Sequence, residues 1–366
     1  MLKYIFALVI FLHGLIHFMG FAKAISYDNI GQITKNISKP AGFTWFVTAI
    51  LFITAAVLFL LKKQTWPLIA IITAFLSQVL IFTVWKDAKF GTLANIMILL
   101  VAVPAYASHR FDRKVKEEVA HLLAQPVTNN VTITDEMLYH LPPIVQKWLT
   151  GSGVIGKEKI QFVRLKQKGE MRTKPGGKWL PFTATQYFTV NEPQFIWKTK
   201  LQLMPLITMT GRDKFVNGNG EMIIKVLSLV NVVKVDADNK LNSATMIRYL
   251  AETTWFPAAA LNDYIKWEPI NSTSAKAIMT YKGITVSGTM KFTENGDLLS
   301  FEADRYKDTG TDASLEKWLV ETIACKDFNG IRIPYKSKVT WKLKEGDFNW
   351  ANMELTSLEF NKPQAY

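Results

Sequence analysis

The chain has 366 residues, 49% of them hydrophobic, and 43 Lys and Arg against 30 Asp and Glu give it a net charge of +13. This length allows two compact units, and the lone Cys325 excludes an intramolecular disulfide and a zinc site built on several thiolates. Up to Ser108 there are eight Lys/Arg and two acids, Asp28 and Asp87, against 35 and 28 afterwards, so a boundary falls near His109.

Crossing the hydrocarbon core takes about 20 apolar residues in a helix. Tyr4–Ala22, Gly42–Leu61, Pro67–Trp85 and Gly91–Ser108 each meet that requirement. A longer polar loop follows the first stretch, and short polar joints separate the others, which forces antiparallel neighbours. Trp45, Trp66 and Trp85 fall near the span ends, where indoles favour the headgroup layer. A cleavable signal peptide is the alternative for the first stretch, since Lys3 precedes an apolar run ending in Ala22-Lys23-Ala24. The length of that run and its two histidines favour a retained helix. Lys3, Lys62, Lys63, Arg110, Arg113, Lys114 and Lys116 fall on one side of the membrane, and Lys23, Lys35, Lys39, Lys86 and Lys89 on the other. This small excess leans towards both termini in the cytoplasm.

His13 and His17 share one helix face. Ionisable groups at this depth suggest a metal, a haem or a proton path. The other spans offer no His, Cys or Glu to complete a zinc site, so hydrogen bonds to Asn95, Gln78 or Ser77 are the favoured reading.

Phe111–Gln125 reads as an amphipathic helix with Val115, Val119, Leu122 and Leu123 on one side, followed by a Thr/Asn-rich link, Pro126–Thr132. Thr134-Asp135-Glu136 opens a short helix, and Pro142-Pro143 opens another that Gly151-Ser152-Gly153 closes. The pattern then changes to period two. In Phe162–Arg172, Val163, Leu165 and Met171 face one way and Arg164, Lys166, Lys168, Glu170 and Arg172 the other. Ile284–Phe292 and Ile331–Lys344 alternate in the same manner, and turns such as Asn217-Gly218-Asn219-Gly220 separate the strands. This spacing predicts roughly nine to twelve antiparallel strands, interrupted once by a helix in Asn242–Leu261 that Asn242 or Ser243 caps and Pro257 stops. A sheet apolar on one side needs a cover, and this helix supplies it.

Arg248-Tyr249-Leu250-Ala251-Glu252 with Trp255-Phe256-Pro257 and Trp267 resembles an uncharacterised family of bacterial membrane-attached proteins. Phe301-Glu302-Ala303-Asp304-Arg305-Tyr306, and Asp327-Phe328-Asn329-Gly330 leading into Ile333-Pro334, carry the same resemblance, which covers much of Leu141–Phe360. It implies a bacterial inner-membrane location and no known activity. More distantly, the strand–helix–strand order is similar to the open half-barrels of bacterial lipoprotein carriers, which hold acyl chains between a curved sheet and covering helices. This chain differs from them in its several spans and in having no lipobox cysteine.

All five histidines precede the strands, which excludes a Ser-His-Asp or Cys-His triad within the β-rich part. No phosphate-binding loop of Walker or dinucleotide type occurs, no cofactor is implied, and the basic strand faces come with no nucleic-acid motif. Those faces suit anionic lipid headgroups or plain solvent. Glu252, Asp263, Glu268 and Asp304 surround the Trp-rich segment as candidate carboxylates, but Arg248 stands four residues before Glu252 and Arg305 adjoins Asp304, so pairing competes with catalysis. The reading is therefore an α+β membrane protein: a four-helix transmembrane bundle (1–108), a helical linker (109–151) and an antiparallel, curved or half-barrel sheet under a helix (152–366). Its expected role is to hold a lipid-like ligand between sheet and helix, with Glu252, Trp255, Phe256, Trp267, Arg305 and Tyr306 as candidate binding residues. A carboxylate-dependent enzyme and a non-catalytic envelope interaction module are the alternatives.

Overall fold

A computed structural model describes residues 1–26, 32–126, 131–205, 207–308 and 313–366. Asp28 and residues 127–130 of the Thr/Asn-rich link lie outside the described residues. The chain divides into two compact units, Met1–Arg113 and Lys114–Tyr366.

Four helices are long and apolar enough to cross a membrane: α1 (Leu2–Ala24), α2 (Lys39–Leu60) and α3 (Trp66–Thr83) in the first unit, and α5 (Gly91–Leu123), which begins there and ends in the second, with a single turn, α4 (Trp85–Ala88), between the last two. α1 packs on α2 and α2 on α3. The histidine pair is absorbed by packing. His17 Nδ1 donates to the His13 carbonyl at 2.8 Å, which leaves its Nε2 to accept from the Ser77 hydroxyl at 2.9 Å. His13 Nε2 meets Asn95 Oδ1 at 3.0 Å, and Asn95 Nδ2 donates onward to Gln78 Oε1 at 3.1 Å. Among the described residues no group of three or more potential metal ligands forms. α5 runs through Pro104 and joins the last span to the amphipathic stretch as one helix, burying Val115, Val119, Leu122 and Leu123.

The second unit opens with a 3-10 turn (Asp135–Leu138) and α6 (Pro143–Ser152), which Gly153 ends in the left-handed conformation. One antiparallel sheet follows, with thirteen strands among the described residues, one more than the sequence pattern predicted. β1 (Phe162–Met171), β2 (Leu180–Thr189), β3 (Gln194–Met204), β4 (Ile207–Val216), β5 (Asn219–Val226) and β6 (Val230–Val235) meander outward to one edge. The chain then crosses to the opposite edge and meanders back through β7 (Ile265–Asn271), β8 (Ser274–Tyr281), β9 (Ile284–Phe292), β10 (Leu298–Lys307), β11 (Ser314–Phe328), β12 (Ile331–Leu343) and β13 (Gly346–Phe360). β13 pairs with β1 to join the two arms.

The crossing segment is α7 (Asn239–Glu252) and two 3-10 turns, Thr253–Trp255 and Pro257–Leu261. α7 is shorter than predicted and starts earlier. Asp238 caps it by accepting from Leu241 N at 2.7 Å, while Asn242, the predicted cap, accepts from Gly220 N at 2.7 Å. α7 packs on β4 and β5 of one arm and on β9 and β10 of the other, so it bridges the arms across the concave face of a curved sheet.

Candidate functional site

Alternation along each strand sends every second side chain to the α7 side, and the ladder register aligns these side chains into rows across β1–β5. The innermost row, Val163–Phe188–Phe195–Phe215–Gly220, is the core floor. Its glycine is required by the cover: a Cβ at Gly220 would stand 2.7 Å from Thr245 Oγ1 and 3.0 Å from the Leu241 carbonyl. Phe188 packs against Phe256 at 4.9 Å and Tyr249 at 6.1 Å between ring centroids, which fills the space under α7.

The next row, Leu165–Gln186–Trp197–Asp213, is polar. Here α7 lowers two charges onto the sheet. Arg248 Nε donates to Glu252 Oε1 at 2.8 Å and its Nη1 to Asp213 Oδ2 at 2.6 Å, and Gln186 Nε2 donates to Glu252 Oε2 at 2.7 Å. The Arg248 guanidinium also lies over the Trp197 ring at 4.6 Å. Burial pushes the Glu252 carboxyl up, against the opposing pull of Arg248 and then Gln186. Burial also works against the Arg248 charge, but Glu252 and Asp213 outweigh it and hold that guanidinium above its ordinary value. Gln186 Oε1, Asp213 Oδ1 and Gln167 Nε2 are buried without a protein partner. Buried polar atoms of this kind carry a desolvation cost of about 1–3 kcal/mol each unless water or a ligand meets them.

Beyond the polar row the side chains shrink to Ala184–Thr199–Gly211, beside Gln167. Trp197 reaches across this trough and donates from Nε1 to Gln167 Oε1 at 2.9 Å. The outermost row, Gly169–Phe182–Leu201–Met209–Val226, is apolar again and continues to Val230 at the edge. Gly169 makes room for it, because a Cβ there would stand 2.8 Å from the Phe182 ring and 2.2 Å from the Asn352 carbonyl. Phe182, Ala184 and Leu201 form a second apolar cluster, separate from the main core, with half-buried Met171, Leu203, Met209 and Met353 around it.

The predicted site residues are divided by this arrangement. Glu252 sits in the ion cluster, and Trp255 and Phe256 are buried in the core. Trp267 is half-buried, donates from Nε1 to the Ala260 carbonyl at 3.1 Å, and packs near Trp148. Arg305 lies on the concave face of β10 between Trp318 (4.8 Å) and Trp341 (5.5 Å), and its Nε donates to the Ala244 carbonyl at 2.9 Å. Burial brings its pKa down to about 10, so it stays charged at neutral pH. Tyr306, on the other face, receives Lys240 over its ring at 5.8 Å. Asp304 does not pair with the adjoining Arg305, because consecutive strand residues face opposite ways; it meets Lys317 at 3.5 Å instead. A cavity of about 30 Å³ lies between α6 and the β9–β10 turn, lined by Trp148, Gly296, Asp297, Cys325 and Arg332 among others, which is room for one water.

The fold and site define a class: a curved antiparallel half-barrel, bridged by its own helix, following four apolar helices. Residues 131–353 match the model of a family of unknown function, DUF6544, and the chain belongs to that family. No curated protein sequence matches it. Among solved structures it is similar to a DUF1329 family protein from Desulfovibrio piger, at 10% identity and a TM-score of 0.35 over 56% of this chain and 88% of that one. A LolA superfamily protein from Nitrosomonas europaea is similar at 10% identity and a TM-score of 0.32, over 60% of this chain and 94% of that one. Likeness at this level transfers no residue's role.

Proposed function

We propose that this protein is a membrane-anchored module whose β-domain holds a hydrophobic, lipid-like ligand along the outer rows of its concave face. The observation that carries the reading is the second apolar cluster. Phe182, Ala184 and Leu201 lie on the concave face outside the main core, among half-buried Met171, Leu203, Met209 and Met353. Half-buried apolar side chains beside buried polar atoms without partners are the composition of a ligand groove: apolar walls and a few polar groups to orient what binds. The ligand lies further out than under the covering helix, because α7 and the inner row pack solidly there.

The carboxylate-enzyme alternative fares worse on geometry. Glu252 has both oxygens committed, to Arg248 and to Gln186, in a packed interior. Four apolar helices support the membrane anchor, and the excess of Lys and Arg on one side of them favours a cytoplasmic β-domain.

The test uses the full chain purified in detergent, with retained lipid quantified by mass spectrometry. Leu203→Glu and Met209→Glu, both at half-buried positions, are expected to lose the lipid that the parent protein keeps beyond what its helices retain. Equal retention by folded parent and variants refutes the groove.

A further inference from the structure

The outer row lies beside the hairpin tips, and the tips have a character of their own. The β1–β2, β3–β4 and β5–β6 turns all fall at the same end of their arm, because alternate turns of a meander share an end. Met204 is 57% exposed at the second tip, and Leu229 (42%), Val230 (66%) and Val232 (56%) follow the third. The third tip is held in an unfavourable shape. Leu227 and Ser228 both adopt left-handed conformations, φ 50° and 58°, at a cost of about 1–2 kcal/mol per residue without glycine. Ser228 is buried with its hydroxyl against Thr210 Oγ1 at 3.1 Å, and Leu227 N donates to the Thr208 carbonyl at 2.8 Å. These contacts fix the turn so that the exposed apolar residues follow directly.

The charge carried by the three tips themselves is of one sign. Residues 172–180, 198–205, 207–208 and 223–235, which make up the described tips and their strand ends, contain Arg172, Lys174, Lys178, Lys198, Lys200, Lys225 and Lys234 and no Asp or Glu. Lys174, Lys178, Lys200 and Lys234 are exposed, and Trp179 is half-exposed beneath the Arg172 guanidinium at 4.5 Å. Exposed aliphatic side chains ringed by lysines and a tryptophan match the interface of an anionic bilayer, where each basic residue contributes about 1 kcal/mol. A chain with four apolar helices is itself held at a bilayer, so a modest affinity suffices.

We propose that these hairpin tips insert into the headgroup layer of an anionic membrane. The apolar row Phe182–Leu201–Met209–Val226–Val230, which lies on the concave face within a few residues of the tips, then runs alongside the bilayer surface. Docking stands on exposure and charge alone, so it holds or fails separately from ligand binding.

The test places single cysteines in a Cys325→Ser background: Met204→Cys and Val230→Cys at the tips, and Asn219→Cys at the opposite end of the arm. Each full chain carries the fluorophore NBD in vesicles of phosphatidylcholine with or without phosphatidylglycerol. Labels at 204 and 230 are expected to shift to the blue and to be quenched by doxyl lipids in the anionic vesicles, while the label at 219 stays in water. Adding Lys174→Glu, Lys178→Glu and Lys234→Glu is expected to return the tip labels to aqueous emission. Aqueous emission at 204 and 230 in anionic vesicles overturns the proposal. So does a blue shift without doxyl quenching in which Val230→Cys crosslinks to a second copy, because that outcome assigns the β6 edge to strand pairing between chains.

Discussion

Replacing Arg248 with Met removes the cation that holds α7 to the sheet and leaves two carboxylates facing each other in the interior. The side chains concerned are nearly closed to solvent, at 15% for Arg248, 7% for Asp213 and 9% for Glu252. Breaking one buried pair costs about 3–5 kcal/mol, because the charge left behind has no partner. Loss of the stack on Trp197 adds to this, by about 0.5–2 kcal/mol. For a unit of this length each kcal/mol lowers the thermal midpoint by about 2–4 °C, so the combined loss of about 3.5–7 kcal/mol for Arg248→Met is expected to lower it by roughly 7–28 °C. The assay is the tryptophan-fluorescence transition of the full chain in detergent. A second variant separates charge from shape. Arg248→Met combined with Asp213→Leu and Glu252→Met removes every charge of the cluster, and apolar replacements of buried ion clusters are often neutral or better. It is expected to recover most of the lost midpoint. If Arg248→Met alone melts within about 2 °C of the parent, corresponding to about 1 kcal/mol or less, the cluster is solvated and α7 is not pinned by it.

Three further outcomes follow from the same geometry. Gly169→Ala puts a Cβ 2.2 Å from the Asn352 carbonyl and is expected to cost about 1–3 kcal/mol by denaturant titration, with the outer apolar row disturbed before the inner one. Glu252→Gln is expected to flatten part of the pH dependence. The folded-state pKa of Glu252 is raised, mainly by burial, so the folded state holds a proton that the unfolded state has lost, and stability falls as pH rises from the ordinary carboxylate range through the raised value. The stability deficit of the Gln variant relative to the parent should therefore shrink as pH rises across that window, and a deficit that grows contradicts the assignment. Leu227→Asn suits the left-handed backbone better and is expected to raise the midpoint slightly, by the equivalent of up to about 1 kcal/mol.

Local periodicity carried a good deal of this structure. The Val163/Leu165/Met171 face against the Arg164/Lys166/Lys168 face was legible because strand side chains alternate regardless of partner. The four apolar helices were legible from length and composition. The Arg248–Glu252 pair was visible as a four-residue spacing on a helix. The site rows were not legible, because they exist only in register. Asp213 joins Arg248 across 35 residues, and Leu165 stands opposite Leu358 through a pairing between the first and last strands. The cap of α7 was misplaced for a related reason. Asn242 has the chemistry of a cap, but its side chain is taken by Gly220 from β5, which leaves Asp238 to start the helix. The placing of the tryptophans was hidden as well: Trp255 is buried within the main core, while Trp267 packs half-buried on the same core beside Trp148.

The fixed cover decides where the proposed ligand fits. A helix free to swing would open the space under Phe188, Tyr249 and Phe256 to an acyl chain. This one is held to β4 through Asp213, to β2 through Gln186, to β5 through Asn242 and to β10 through the Arg305–Ala244 bond. Releasing it breaks contacts in both arms at once, so the inner half of the concave face belongs to stability. The outer half has the opposite character: small side chains in the trough, a tryptophan lying across it, and half-buried methionines and leucines leading to exposed tips. On the proposed reading, stability and binding are thus divided along the length of the same strands, with the buried ion cluster as the border between them.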